Sequence, residues 1–289
     1  MMLTIFTPIF NRCQFLERIY QSLITQNCKD FEWLIIDDGS TDDTFKIIER
    51  LKDEEKINIK YHFKENGGKH TAHNMAINLA SGYMFICLDS DDMLAPDAVN
   101  IIRNSIQIMD SNDCGIIAYK VSNTQKLLSK EFDSEKHYGL FEYNQRGISG
   151  EFVLVFKTSI IKKYPFPIFN KEHFIGESVL YDRLELDGYK FAPLKKTLEI
   201  CEYQTEGLSN RFITLVKNNP TGYCLYYAQR TELNKGKLKK LIMAGKYNCF
   251  KLLSIDKRFN YSMNINKIVF LAKPLGIVFY LYYKLVRGF

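Results

Sequence analysis

Short apolar runs alternate with segments of helical periodicity between residues 3 and 89, and this alternation restricts the fold more than any other feature. Continuous apolar runs of this length are typical of the buried strands of a parallel sheet. The runs are Leu3–Phe10, Phe31–Asp37, Ile57–Phe63 and Tyr83–Asp89. Between them, apolar residues recur at helical spacing in the sets Phe15, Ile19 and Leu23; Phe45, Ile48 and Leu51; and Ala72, Met75 and Leu79. The pattern predicts an α/β fold with a mostly parallel, doubly wound central sheet and flanking helices.

Polar clusters follow each of these predicted strands. They read TPIFNR, DDGSTDD, ENGGKH and DSDD in chain order. Ligands of doubly wound sheets bind in the crevice outside the carboxyl ends of the strands. We therefore expect the four clusters to meet there and to form the functional site.

The DSDD cluster places Asp89 and Asp91 two residues apart at the end of a buried run. In an extended segment, residues at this spacing face the same side and can share a cation. Hard divalent ions such as Mg²⁺ take one or two carboxylates together with substrate phosphates. The alternative is a solvated turn that caps the helix after Pro96. Because the DSDD cluster follows a buried strand of this fold, we favour a site for a cation that carries a diphosphate.

The ENGGKH cluster has the composition of a turn that leads into a helix. Gly67 and Gly68 allow a sharp turn, and a helix N-terminus favours a phosphate or sugar oxygen. Lys69 is expected to pair with a diphosphate. His70 and His73 have the spacing of metal ligands, but neither a cysteine nor a third histidine accompanies them. A sugar or phosphate contact, or a structural role, is favoured for these histidines.

Together with the later GESVLYDRL, these motifs resemble family 2 glycosyltransferases with the GT-A fold. The resemblance covers about residues 1–210, which it identifies as a GT-A domain, and leaves 211–289 as a basic, apolar helical extension. It implies a nucleotide-diphospho-sugar donor, UDP-linked in our expectation, and Mn²⁺ or Mg²⁺ bound by the DxD motif Asp89-Ser90-Asp91.

The same resemblance assigns the nucleotide contacts. Thr7, Pro8 and Asn11 would line the base and ribose, and Asp38 would accept a hydrogen bond from the uracil N–H. Asp37 is expected to support the loop. The amide of Asn74 would bond to the sugar or stabilise the loop. Turn and helix capping is the structural alternative for these polar residues.

An inverting transfer needs one base to deprotonate the acceptor hydroxyl. The family supplies it from an acidic ED-type pair at a helix start, where this chain reads Gly176-Glu177-Ser178 and lacks the second acid. Glu177 is therefore the expected base, with Glu172 and Asp182 as substitutes. A favourable charge in the first helical turn is the alternative for Glu177.

Two further features bear on the function. Residues 202–209 resemble a YxxxGLS-like segment that closes such domains, and we expect either closure over the diphosphate or a structural turn. The chain lacks a QxxRW-like motif and several long apolar spans, which favours addition of a single sugar over processive synthesis.

Positive charge is concentrated at the C-terminal end. After Glu232 the chain has twelve lysines and arginines and one acid, a net charge of +11. Because the whole chain has a net charge of +6, residues 1–232 carry a net charge of −5. Ile268–Phe289 mixes apolar and aromatic residues with cations, and Lys273 and Pro274 interrupt the apolar run. This composition suits a helix in an anionic membrane surface, without a bilayer span and without a nucleic-acid motif. Helices packed on the body are the alternative.

The expected location is cytoplasmic, at the inner face of the cytoplasmic membrane, with a glycan or polyprenyl-linked acceptor of cell-surface polysaccharide synthesis. The N-terminus lacks the pattern of a signal peptide, and the seven cysteines form no regular framework. Two other functions compete. A sugar-1-phosphate nucleotidyltransferase would need a glycine-rich basic loop after the first strand, which TPIFNR is not. A non-catalytic sugar-nucleotide-binding subunit is compatible with the single acid at Glu177.

Overall fold

The computed structural model describes residues 1–133, 135–202, 212–256, 259, 261 and 266–286, without the side chains of 212 and 286. The chain divides into two compact units. The first contains Met1–Pro165 and Gly188–Thr205, and the second contains Phe166–Asp187 and Glu206–Phe289.

The first unit is built on an eight-stranded sheet with the order β3-β2-β1-β4-β7-β6-β8-β5. Its strands are β1 Leu3–Ile9, β2 Phe31–Asp37, β3 Asn58–Phe63, β4 Met84–Cys87, β5 Asp92–Leu94, β6 Asp113–Ser122, β7 Phe152–Lys157 and β8 Lys190–Cys201. Among the strands that the structure describes, only β5 and β7 run against the others. The predicted mostly parallel sheet is therefore confirmed.

Within its described residues, the first unit contains six α-helices. They are α1 Leu16–Ile24, α2 Thr44–Asp53, α3 Lys69–Leu79, α4 Ala98–Ser105, α5 Leu140–Gln145 and α6 Thr158–Ile161. The first three connect the parallel strands β1 to β4, as the alternating pattern predicted. Every residue of β2 is buried, which explains its continuous apolar sequence.

The position of the site follows from the strand order. β1 lies between β2 and β4, and the backbone N–H of Leu88 donates to the carbonyl oxygen of Phe6 at 2.8 Å. The loop after β1 therefore emerges beside the loop after β4, although more than seventy residues separate them along the chain.

Two of the predicted helix faces are wrong in part. On α2, Ile48 and Leu51 are buried, but Phe45 is 57% exposed. Its ring packs against Tyr61, with centroids 5.7 Å apart, at a cleft of about 310 Å³ beside the loop after β2. The neighbouring strand β3 is an edge strand, so the sheet does not cover this side of α2.

On α3, the buried positions include His70 and His73, whereas Leu79 is exposed. The ring of His73 packs edge-on against Phe6 and Phe85, with centroids 5.7 Å and 5.4 Å away. Of the two roles favoured for these histidines, the structural one describes His73.

Glu32 is a buried acid at the amino end of β2 with four bonds to its carboxylate. Thr4 and Ser81 donate through their hydroxyls at 2.5 Å and 2.7 Å, and the backbone N–H of Ser81 donates at 2.8 Å. The ammonium of Lys60 lies at 2.7 Å. Burial alone raises the pKa of Glu32, but these bonds outweigh burial and lower that pKa to about 2.

Glu32→Gln is expected to lower the free energy of unfolding at pH 7 by about 2–3 kcal/mol, because the charged form is the one that the site stabilises. The lowered pKa of Glu32 stabilises the fold fully at pH values above about 4.3, the pKa of a glutamate in the unfolded chain. This stabilisation is lost as the pH falls towards 2. Urea unfolding of both proteins should therefore show a difference that shrinks from pH 7 to pH 3. Glu49→Gln, at an exposed pair with Lys52, is the matched control. A difference that grows on acidification contradicts the assignment.

The second unit is helical in its described residues. It contains α7 Ser178–Leu186, α8 Phe212–Asn218, α9 Pro220–Leu233, α10 Lys237–Leu253, α11 Asn266–Leu271 and α12 Lys273–Val286. Val179, Leu180 and Leu184 of α7 are buried, as predicted. The C-terminal helices share a core of buried residues: Val216, Cys224, Ala228, Tyr247, Cys249 and Phe250.

Glycines bring α12 close to α10. A Cβ atom on Gly276 would lie 2.5 Å from Cβ of Asn248, and one on Gly245 would lie 2.8 Å from Leu275. One face of α12 is thus packed, while Ile277, Val278 and Leu281 on other positions are about half exposed or more. No helix in the described part of the chain is long and apolar enough to cross a bilayer.

Candidate active site

The loops after β1 and β2 are joined by the side chain of Asn11. Its Oδ1 accepts from the backbone N–H of Thr41 at 2.8 Å, and its own N–H donates to the hydroxyl of Ser40 at 2.9 Å. Asn11 has a φ of 50°, in the left-handed region that asparagine tolerates. Of the other two predicted contacts, Thr7 is fully buried and accepts from Nε1 of Trp33 at 3.0 Å, and Pro8 is half-buried.

The side chain of Asp37, the last residue of β2, stabilises the turn that follows this strand. Its Oδ1 accepts from the backbone N–H of Ser40 at 2.7 Å, and its Oδ2 accepts from the hydroxyl of Tyr61 at 2.8 Å. The loop-supporting role expected for Asp37 is confirmed by these contacts.

Asp38 organises the glycine turn that follows β3. Its Oδ1 accepts from the N–H of Gly67 at 3.0 Å, and its Oδ2 from the N–H of Gly68 at 2.7 Å. Lys64 donates to Oδ1 at 2.5 Å. Gly68 has a φ of 89° and precedes α3, so the carboxylate of Asp38 lies where a helix N-terminus favours an anion. The uracil contact predicted for Asp38 stays a prediction.

Two cations face the two acids of the DxD motif. Nζ of Lys69, the first residue of α3, lies 2.5 Å from Oδ1 of Asp89. Nη1 of Arg12 lies 3.0 Å from Oδ2 of Asp91 and 3.3 Å from the hydroxyl of Ser90. Burial alone raises the pKa of Asp89, but Lys69 and Lys120 outweigh burial and hold that pKa below its usual value. Asp89 is therefore ionised at neutral pH.

A buried group of charges supports the motif. Lys120 pairs with Asp92, and its Nζ lies 3.4 Å from Glu199 on β8. Burial raises the pKa of Asp92 and raises the pKa of Glu199 to about 8. One ammonium thus faces two carboxyl groups. The network ties the chain after Asp91 to β6 and β8.

The motif has the donors that a hard divalent cation requires. Oδ2 of Asp89 and Oδ1 of Asp91 accept no hydrogen bond from any residue that the structure describes. In each carboxylate one oxygen contacts a protein cation, and the other accepts no hydrogen bond from the described residues. Oxygen donors of this kind suit Mg²⁺ and Mn²⁺.

Another cluster of side chains that could bind a metal lies at the opposite end of the strands, where β6 begins. Ligand atoms of Asp110, Asp113 and His137 are all within 4.8 Å of one another. Nδ1 of His137 lies 2.7 Å from Oδ2 of Asp113, at the start of β6. Because β6 runs parallel to β4, Asp113 is remote from the end of β4 and does not belong to the DxD site.

The remaining nucleotide-sugar residue, Asn74, is half-buried in the middle of α3. Its predicted contact with the sugar or the loop stays a prediction. The YxxxGLS-like stretch is described only at Glu202, since residues 203–209 lie outside the described residues. Glu202 pairs with Arg18, whose Nη2 donates to the carbonyl oxygen of Asp91 at 2.5 Å. The start of this stretch is thus tied to the DxD motif.

Three acids of the second unit were candidates for the base, and their surroundings differ. Glu177 directly precedes α7, is half-buried, and accepts from the hydroxyl of Tyr181 at 3.0 Å. Asp182 is 1% exposed and lies 2.7 Å from Arg230. Burial raises the pKa of Asp182 to about 7.

Glu172 is engaged in helix capping. Its two carboxylate oxygens accept from the backbone N–H groups of Thr221 and Gly222 at 2.7 Å and 2.9 Å, in the first turn of α9. The side chain is buried and complements the positive end of that helix. Glu172 and Asp182 are thus withdrawn from solvent, whereas Glu177 is not.

Sequence reasoning missed Arg12 and Arg18 in the loop and helix after β1, and Lys120 on β6. Arg12 stands in the polar cluster TPIFNR, so its position at a strand end was a usable signal. What was lacking was the strand order, which places that cluster beside the DSDD cluster.

A family model described as Glycosyl transferase family 2 matches residues 4–178. The chain is 30% identical over 192 residues to the GalNAc(5)-diNAcBac-PP-undecaprenol beta-1,3-glucosyltransferase of Campylobacter jejuni, covering 63% of this chain and 59% of the relative. It is 37% identical over 100 residues to the chondroitin synthase of Pasteurella multocida, covering 35% of this chain and 10% of the relative. The chain therefore spans less than two thirds of each of these relatives.

Solved structures share the fold. The structure of S. aureus TarS in complex with UDP-GlcNAc matches with a TM-score of 0.60 at 16% identity, over 94% of this chain and 79% of that one. The mannosyltransferase PcManGT from Pyrobaculum calidifontis, in complex with GDP-Man and Mn²⁺, matches with a TM-score of 0.58 at 17% identity, over 98% of this chain and 81% of that one. The predicted GT-A fold is confirmed by these likenesses.

Proposed function

Because this chain belongs to glycosyl transferase family 2, we propose that it transfers one sugar from a nucleotide-diphospho-sugar, a UDP-sugar, to a hydroxyl of a glycan or lipid-linked acceptor. The observation that carries this proposal is the meeting of four loops at the carboxyl ends of β1 to β4. Two ion pairs lie there: Asp89 with Lys69 and Asp91 with Arg12. Such a set complements a divalent cation and a diphosphate.

The proposed donor site uses residues of all four loops. Asp89 and Asp91 would hold Mn²⁺ or Mg²⁺, which when bound neutralises charge on the departing diphosphate. Lys69 pairs with the same diphosphate. Asn11 and Asp38 position the base and ribose from loops that their hydrogen bonds already join.

Glu177 is the proposed base of an inverting reaction. It takes the proton of the acceptor hydroxyl, and the acceptor oxygen forms a bond to the anomeric carbon. The bond between that carbon and the diphosphate oxygen breaks on the opposite face, and its electron pair leaves with the diphosphate. Half-burial and a hydrogen bond from Tyr181 hold Glu177 without withdrawing it from solvent, unlike the buried Glu172.

A lipid-linked acceptor is supported by the name of the Campylobacter relative, which includes a PP-undecaprenol carrier. We place the protein at the inner face of the cytoplasmic membrane, in contact through α11 and α12. Exposed apolar side chains there include Leu271 at 69% and Leu285 at 81%. The segment from Asn266 to Val286 contains lysines and no acid, so it complements anionic headgroups.

Val278→Glu with Leu281→Glu is expected to weaken binding to anionic lipid vesicles by at least about tenfold, because two apolar contacts are lost and two like charges are added. Co-sedimentation with vesicles of anionic and of neutral lipid measures the change. Ile168→Glu with Leu79→Glu adds the same charges at exposed apolar positions elsewhere and should leave binding unaltered. Equal binding of the Val278 and Leu281 variant contradicts the membrane contact.

The function itself is tested by release of UDP from a panel of UDP-sugars with Mn²⁺ and candidate acceptors. Metal- and acceptor-dependent release with inversion at the anomeric carbon, read by NMR of the product, is the expected result. Donor binding without turnover on any acceptor would instead identify a non-catalytic sugar-nucleotide-binding subunit.

A further inference from the structure

Each of the two acids of the DxD motif pairs with a protein cation. Asp89 pairs with Lys69 at 2.5 Å, and Asp91 pairs with Arg12 at 3.0 Å. The two cations come from different elements, the start of α3 and the loop after β1. We propose that Arg12 and Lys69 are exchangeable counter-ions, which neutralise the metal ligands until the donor binds and then pair with its diphosphate.

The geometry permits such an exchange. The side chains of Arg12 and Lys69 are 32% and 31% exposed, so both heads can reorient without opening the core. Nε and Nη2 of Arg12 donate to no residue that the structure describes, and a guanidinium can bind phosphate oxygens with two parallel bonds. Asp91 stays in place when Arg12 leaves, because Arg18 holds its carbonyl oxygen at 2.5 Å.

The exchange has a thermodynamic consequence. A divalent cation that binds without nucleotide must either displace Lys69 and Arg12 from the two carboxylates or share the carboxylates with them. The positive charges of Lys69 and Arg12 also repel this cation. A diphosphate offers those heads new partners and thereby releases the carboxylates. Metal and nucleotide must therefore bind cooperatively, and each must strengthen the other by the same factor.

This inference rests on the proposed donor site and adds a property that the site need not have. Two bare aspartates would bind Mn²⁺ without nucleotide, and removal of a nearby cation would then act only on UDP. Under exchange, removal of Arg12 and Lys69 has opposite effects on the two ligands. Mn²⁺ alone binds more tightly, and UDP binds more weakly.

The test is calorimetric titration of the full chain with Mn²⁺ alone, UDP alone and each in the presence of the other. Arg12→Gln with Lys69→Gln is expected to bind Mn²⁺ alone about tenfold more tightly than the unmodified protein. The factor by which UDP strengthens Mn²⁺ binding should fall by about tenfold or more. Arg50→Gln with Lys52→Gln, at the exposed pairs with Glu17 and Glu49, is the matched control and should change neither value.

Unchanged or weaker binding of Mn²⁺ alone to the Arg12 and Lys69 variant overturns the exchange. Each single variant should show part of the gain, which preserves the test if the double variant has a lowered melting temperature. Asp91→Asn separates the two proposals. If it leaves Mn²⁺ binding in the presence of UDP intact, the metal site and the exchange both fail. If it abolishes that binding while the Arg12 and Lys69 variants behave as unmodified protein, the exchange alone fails.

Discussion

Asp91→Asn is expected to reduce the rate of sugar transfer by at least about 1000-fold, which corresponds to roughly 4 kcal/mol of transition-state stabilisation. The substitution removes one of the two proposed metal ligands and, with the metal, the positive charge that would stabilise the departing diphosphate. The fold should persist, because Asp91 is partly exposed and its ion pair with Arg12 is of a kind worth about 0–1 kcal/mol. UDP release with Mn²⁺ measures activity, and thermal unfolding measures stability.

Asp53→Asn provides the matched control for this substitution. Asp53 is exposed at the end of α2 and belongs to none of the four polar clusters, so its change should leave transfer and melting temperature unaltered. Full transfer activity of the Asp91 variant would overturn the proposed site. Loss of activity together with a collapse of the melting temperature would assign Asp91 to folding instead.

Glu177→Gln is expected to lower kcat by about 10²–10⁴-fold, the usual contribution of a general base. The amide is close in shape to the carboxylate but cannot accept the proton of the acceptor hydroxyl. Binding of UDP and Mn²⁺ should be unaffected, because the donor contacts are assigned to other residues. Steady-state kinetics with saturating donor, together with titration of UDP, separate the two effects.

Glu172→Gln is the informative comparison for the base, since both acids were candidates for that role and lie in the same unit. It removes the charge that caps α9 through two backbone N–H groups, so we expect lower stability with kcat per folded molecule retained. A kcat loss in the Glu172 variant and none in the Glu177 variant would transfer the role of base away from Glu177.

The sequence by itself determined the alternation of strands and helices and the edge at which the site lies. Continuous apolar runs specify buried strands, and β1 to β4 begin and end within two residues of the predicted limits. Polar clusters after those runs specify the carboxyl edge of the sheet. Both features are local in the chain, so a single sequence carries them.

Helix faces were less well determined, because periodicity shows which residues share a face and not what that face meets. His70 and His73 are buried, and His73 packs against Phe6 and Phe85, whereas Leu79 is exposed. Phe45 is exposed because its helix lies near the edge strand β3. Hydrophobicity alone predicts the reverse for each of these side chains.

Only the tertiary structure decided which charges meet. Asp89 and Asp91 were recognisable as acids that need positive partners, but the cations beside them, Lys69 and Arg12, come from distant parts of the chain. Their meeting depends on β1 lying between β2 and β4, and strand order arises from packing of the whole sheet. Coulomb interactions act through space over a few ångströms, whereas a sequence orders residues only along the chain.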